Sequence, residues 1–188
     1  GYRLCRGFTG ADRLFMCVMT RDEKYMRAAL EQAQLAAQEG EVPVGAVVVY
    51  QDEVIATGRN RRERGKNALC HAELEAIDAA CRRLGGWRLW QCELYVTLEP
   101  CPMCAGAIIN ARIPRLVFGA ADAKAGSCGS VVNLFSLPYN HSPQVEQGVL
   151  AQECGDLLSE FFCALRAKKK AQKAAKGQPV SHESTLTP

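Results

Sequence analysis

Three side chains that bind soft metals and one that can carry a proton stand in two short runs. His71 and Glu73 belong to Cys70-His71-Ala72-Glu73, and Cys101 and Cys104 to Pro100-Cys101-Pro102-Met103-Cys104. One imidazole and two thiolates make three zinc ligands, one fewer than a structural site needs, so a fourth position is left for water. Zinc lowers the pKa of its water to about 7, and a carboxylate within reach can take up that proton and pass it on. The reading is hydrolytic chemistry: His71, Cys101 and Cys104 hold one Zn2+ per subunit, and Glu73 is the catalytic acid-base. Glu75 and Glu99 are expected to be a solvated helix residue and a supporting acid. No organic cofactor is expected.

These residues need elements to aim them. A proline after Cys101 disfavours helical dihedrals there, so Cys101 sits at a helix entrance with Cys104 one turn in on the same side. The positive end of that helix favours thiolates. His71 and Glu73 are two apart and point to different sides of a continuous helix, so a shared target lies off its end. Ala68 and Leu69 before them are apolar and suggest buried structure.

Along the chain, Thr20 and Glu23 form a capping box for a helix over 21–39 that stops at Gly40. Val44–Tyr50 and Val54–Gly58 read as a hairpin around Gln51-Asp52-Glu53. A helix follows over His71–Leu84, then a strand over Cys92–Leu98, a helix opened by Pro102, a strand over Arg115–Gly119 and a last helix from about Ala151. Strand, helix, strand in this order favours a parallel pair with a right-handed crossover. The fold class is α/β, a mixed central sheet with helices on its faces. Trp87 and Trp90 are expected to pack on the core; His141 and His182 are expected to be solvated.

The chain has 188 residues, 48% hydrophobic and 23% charged, which suits one compact domain. The longest clean apolar run in its middle, Val44–Tyr50, is strand-sized, so no membrane span and no membrane partner is expected. Ten cysteines lie mostly in apolar periodic segments without a convincing signal peptide, which favours free thiols and a cytoplasmic location. Net charge is +3, yet the segment from Arg166 onward carries six basic residues and one acid. A polyanionic partner is a first thought for such a tail. Residues 1–20 are expected to be an unstructured extension, 21–170 the folded domain, and 171–188 a basic to polar tail without fixed structure.

His71-Ala72-Glu73 with Pro100-Cys101-Pro102-Met103-Cys104 resembles the signature of the zinc-dependent nucleoside and nucleobase deaminases. Further runs are similar to the tRNA adenosine deaminase family of bacteria: Glu41-Val42-Pro43-Val44-Gly45-Ala46, Leu94 to Glu99, Val117-Phe118-Gly119-Ala120 with Asp122-Ala123-Lys124, and Phe161-Phe162. The likeness covers roughly residues 22–170. It implies a three-layer sandwich of the cytidine deaminase type and a cytoplasmic homodimer converting adenosine to inosine at the wobble position of a tRNA anticodon stem-loop. It also implies that Asn60 contacts the base, that the Ala72 backbone faces the reacting edge, that Val44 and Leu98 line the base pocket, and that Asp122 lies by the RNA backbone. Arg59, Arg61, Arg62, Lys124, Lys168, Lys169 and Lys170 are expected to meet phosphates. One departure is Asn67-Ala68-Leu69-Cys70, where many relatives carry Asp-Pro-Thr-Ala.

Three other readings use the same residues. The first is deamination of a free nucleoside or nucleobase such as cytidine or guanine. The second is a nucleic-acid-binding protein with structural zinc, which needs a fourth ligand such as Cys70 or Cys128. The third is a thioredoxin-like Cys101-Pro102-Met103-Cys104, which leaves His71-Ala72-Glu73 without a place.

Overall fold

The structure, a computed structural model, describes residues 19–176. The extension expected over 1–20 therefore lies outside the described residues up to 18, as do the end of the chain beyond 176 and His182. Thr20 and Glu23 close a reciprocal capping box at the start of α1 (Arg21–Gln38). The hairpin follows as β1 (Gly45–Tyr50) and β2 (Glu53–Arg59). Then come a single turn, α2 (Arg62–Gly65), and α3 (Ala72–Leu84), β3 (Cys92–Leu98), α4 (Pro102–Ala111) and β4 (Arg115–Ala120). A 3-10 turn at Leu134–Ser136 leads to β5 (Gln144–Gln147) and the long α5 (Ala151–Lys176).

The strands form one sheet in the order β2-β1-β3-β4-β5. β1 is antiparallel to β2 and β3, while β3, β4 and β5 run parallel, so the expected crossover through α4 is present. Side chains alternate across a strand, and β1 is buried on both faces. Val47 and Val49 join Tyr25, Met26, Ala29, Tyr95, Val117 and Cys154 on the side of α1 and α5, and Ala46 and Val48 join Ala72, Ala76, Leu94, Ile108 and Leu116 on the side of α3 and α4. That double burial is why the run from Val44 reads as continuously apolar rather than alternating. The result is the expected three-layer sandwich, a mixed sheet with helices on both faces.

The parallel arrangement carries the C-terminal end of β3 and the start of α4 to the same edge as the start of α3. Gly58 on β2 permits the approach, because a Cβ there would stand 2.1 Å from the Ala72 carbonyl oxygen. Only a glycine lets the strand lie this close to the first turn of α3.

Several expectations need correction. Trp87 and Trp90 are 53% and 63% exposed and do not pack on the core; Arg88 stacks on the Trp87 ring at 4.0 Å. Leu69 is exposed, so the approach to His71 runs over the surface. His141 is half-buried, with its Nε2 2.7 Å from the Ile113 carbonyl oxygen. α5 remains helical to Lys176, past the point where an unstructured tail was expected to begin. β5 went unread because all four of its residues are exposed at the sheet edge and carry no inward pattern. Among the described residues no helix is long and apolar enough to cross a membrane.

Candidate active site

His71 is the N-cap of α3 and Cys101 the N-cap of α4, both with extended backbones, and neither side chain caps its own helix. Their side chains are thus free to turn toward one another. The His71 Nδ1 lies 3.7 Å from the Cys101 Sγ and 3.6 Å from the Cys104 Sγ. Zinc bonds of about 2.0–2.3 Å at tetrahedral angles separate neighbouring ligand atoms by about 3.5–3.8 Å, so the donor set and its spacing fit that ion. Among the described residues this is the one group of three or more such side chains with its ligand atoms within 4.8 Å of one another. Cys70 and Cys128 do not join it, which leaves the structural-zinc reading without a fourth ligand. The imidazole between the two sulfurs likewise disagrees with a thioredoxin-like pair.

The electrostatics suit a cation. A hydrogen bond from the Cys104 thiol, with help from His71, holds Cys101 down at about 4, and Cys104 is raised in turn by sharing its proton. The hydrogen bond to Cys101 raises His71. Glu73, 4% exposed in the first turn of α3, is pushed up to about 7 by burial. A carboxyl in that range can both accept and release a proton near neutrality.

The cluster opens on a cavity of about 200 Å³ lined by Val44, Asn60, Ala72, Glu73, Leu98 and Asp122, together with Val42, Arg62, His71, Glu99, Cys101 and Ala125. All five residues expected to bind substrate, four around the base and Asp122 by the RNA backbone, therefore line one space. Two rims frame it. On one side, the carboxylate of Glu99 gathers the loop after β4: its oxygens accept the backbone N–H groups of Asp122, Cys128 and Ser130 at 3.0 Å each, and the Ser130 hydroxyl as well. Burial alone would raise this carboxyl, but the combined hydrogen bonds hold it below the usual carboxylate range. Asp122 then turns the loop by accepting the Lys124 N–H at 2.9 Å. On the other side, the segment from Arg59 to Gly65 brings Asn60 and Arg62 to the cavity.

Residues 19–120 match the cytidine and deoxycytidylate deaminase zinc-binding region. The chain belongs to this family of zinc deaminases. It is 51% identical over 154 residues to the tRNA-specific adenosine deaminase of Bacillus subtilis, covering 81% of this chain and 96% of the relative. To the tRNA-specific adenosine deaminase of Haemophilus influenzae it is 47% identical, over 81% of this chain and 90% of the relative. A solved structure from studies of A-to-I editing by tRNA:A34 deaminases at the wobble position of transfer RNA superposes with a TM-score of 0.70. It is 45% identical and covers 72% of this chain and 99% of that one.

In this deaminase the basic residues expected to face a nucleic acid divide into groups. Arg62 lines the cavity. Arg59 is instead held by Glu39 at 2.7 Å and Arg61 by Glu75 at 2.9 Å. Glu75 is therefore an ion-pair partner rather than a solvated residue. Lys124 borders a separate hollow with Leu158, Ser159, Phe162 and Arg166. Lys168, Lys169 and Lys170 are exposed along α5, away from the cavity. Sequence reasoning missed Val42, Ala125 and the buried Glu41. The run from Glu41 to Ala46 marked the place, but nothing local shows that Glu41 reaches a segment more than twenty residues later.

Proposed function

We propose that the chain deaminates adenosine to inosine hydrolytically at the wobble position of a tRNA anticodon. The observation that carries this reading is the His71, Cys101 and Cys104 cluster opening beside buried Glu73 onto a cavity of about 200 Å³. The relatives, named for tRNA and adenosine, support the choice of substrate.

His71, Cys101 and Cys104 would hold the metal, which would supply Lewis-acid activation of water there. The Glu73 carboxylate accepts a proton from the attacking water, passes it to the purine ring nitrogen, and carries the second proton to the leaving amine. Water and adenosine become ammonia and inosine. Val44 and Leu98 enclose the ring and exclude bulk water, the Asn60 amide reads its edge, and the Ala72 backbone faces the reacting amine. Asn60 is buried overall and lines the cavity, so a polar ligand suits its amide.

A base must leave its stack to reach such a cavity, and contacts to the strand hold it there. Asp122 lies at the mouth beside the RNA backbone, and Arg62, Lys124 and the α5 lysines supply positive charge. The protein acts as a homodimer in the cytoplasm. Sequencing an anticodon stem-loop after incubation with the zinc-loaded chain, beside free adenosine, cytidine and guanine, tests the reading. It requires inosine at the wobble position; ammonia released only from the small molecules would refute it.

A further inference from the structure

Glu41 is 1% exposed and lies at the far end of α1, outside the metal cluster. Its carboxylate accepts the Glu63 N–H at 3.2 Å and the Arg64 N–H at 2.8 Å. These are the second and third residues of α2, whose own N-cap, Arg61, makes no side-chain cap. A buried carboxylate from elsewhere in the chain thus satisfies the open N–H groups of a turn too short to be stable alone.

The same turn sorts its charges. Glu39 takes Arg59 at 2.7 Å and Arg64 at 3.0 Å, and Glu75 takes Arg61 at 2.9 Å. Among the described residues, Arg62 makes no such pair, and it lines the cavity instead. Arg62 also begins α2, immediately before the two N–H groups Glu41 holds.

We infer that Glu41 is a positioning residue for Arg62, and that Arg62 is the guanidinium of the 59–66 segment that grips a phosphate of the RNA beside the flipped base. Glu39 and Glu75 hold the neighbouring arginines away from that task. This rests on the reading of the substrate as RNA. Glu41 touches neither metal nor base, so its removal loosens substrate binding and leaves the chemical step in place.

The test compares wild type, Glu41→Gln, Glu41→Ala, Arg62→Ala and the Glu41→Gln/Arg62→Ala pair, all as zinc-loaded full chains, on an anticodon stem-loop. Arg62→Ala raises KM about tenfold, as expected for one lost charge-assisted contact, and leaves kcat and zinc content unchanged. It also flattens the slope of log affinity against log salt by about 0.7, the value for one phosphate on a single strand. Arg59→Ala and Arg61→Ala leave that slope alone. Glu41→Gln, which keeps one accepting oxygen, raises KM less than Glu41→Ala, and the double variant matches Arg62→Ala alone because both act through one contact. If Glu41→Ala fails to fold, Glu41→Gln carries the comparison. Additive effects in the double variant, a fall in kcat at unchanged KM, or wild-type binding by Arg62→Ala would each overturn the inference. A wild-type chain inert on the stem-loop would instead remove the reading beneath it.

Discussion

Glu73, Glu41 and Glu99 are all buried glutamates, and their surroundings give them three different tasks. Glu73 lines the cavity beside the sulfurs, and burial pushes its carboxyl up to about 7. The other two spend their oxygens on backbone N–H groups and so become anchors. The convergence of His71, Cys101 and Cys104 beside Glu73 was legible in the sequence because residue type and spacing carry it. Which arginines face the cavity was not, since Glu39 and Glu75 decide it from other elements. Gly58 matters at the same scale. Its Cβ would strike the Ala72 carbonyl oxygen, a backbone atom that cannot move without displacing the start of α3. Gly58→Ala should cost about 1–3 kcal/mol and weaken zinc retention, as read by thermal melting and by metal analysis after dialysis. An unchanged melting temperature with full zinc would count against that account of the close approach.

At the scale of elements, α1 is tied to the sheet by a charged cluster on the far side from the cavity. Arg115 meets Asp22 at 2.8 Å and Glu93 at 2.7 Å, and Arg21 meets Glu93 at 2.7 Å. The hydrogen bond from Arg115 lowers Asp22 below its ordinary value; burial of Glu93 works the other way but is outweighed by its two arginines. Both carboxylates bind protons less readily folded than unfolded. Their stabilisation is therefore complete above the ordinary carboxylate range of about pH 4 and is lost as pH falls through the folded values. Arg115→Met should lose about 1.5–3 kcal/mol at neutral pH, and its stability should fall less steeply than wild type in acid, as read by urea melts at stepped pH. Equal acid slopes would contradict the pairing. The helices and inner strands of this layer were readable from periodicity and capping because burial imposes the pattern. β5 and α2 were not, because one is exposed throughout and the other is a single turn whose N–H groups are taken by Glu41 from a distant part of the chain.

For the whole molecule, charge is divided between a cavity on one edge of the sheet and the basic run of α5. The described lysines of that run, Lys168, Lys169, Lys170 and Lys173, are solvent-exposed and lie on a helix whose first turns alone pack against β4. Such a projection can follow a phosphate backbone without shaping the pocket. Replacing these four lysines with alanine should weaken RNA binding and flatten its salt dependence while leaving kcat near wild type, as measured by binding at two salt concentrations and by single-turnover deamination. Unchanged affinity at both salts would show that the tail plays no part. The basic excess was visible in composition, but its placement on a projecting helix came only from the fold.

The central claim is that this chain is a zinc deaminase whose proton carrier is Glu73 and whose ligands are His71, Cys101 and Cys104. The most direct measurement takes wild type and Glu73→Gln and assays each preparation for zinc per chain and for inosine formed in an anticodon stem-loop. One zinc per chain in both proteins, with activity lower by about 10²–10⁴ in the variant, is the predicted result. Full activity in Glu73→Gln, or in wild type stripped of metal, would contradict it.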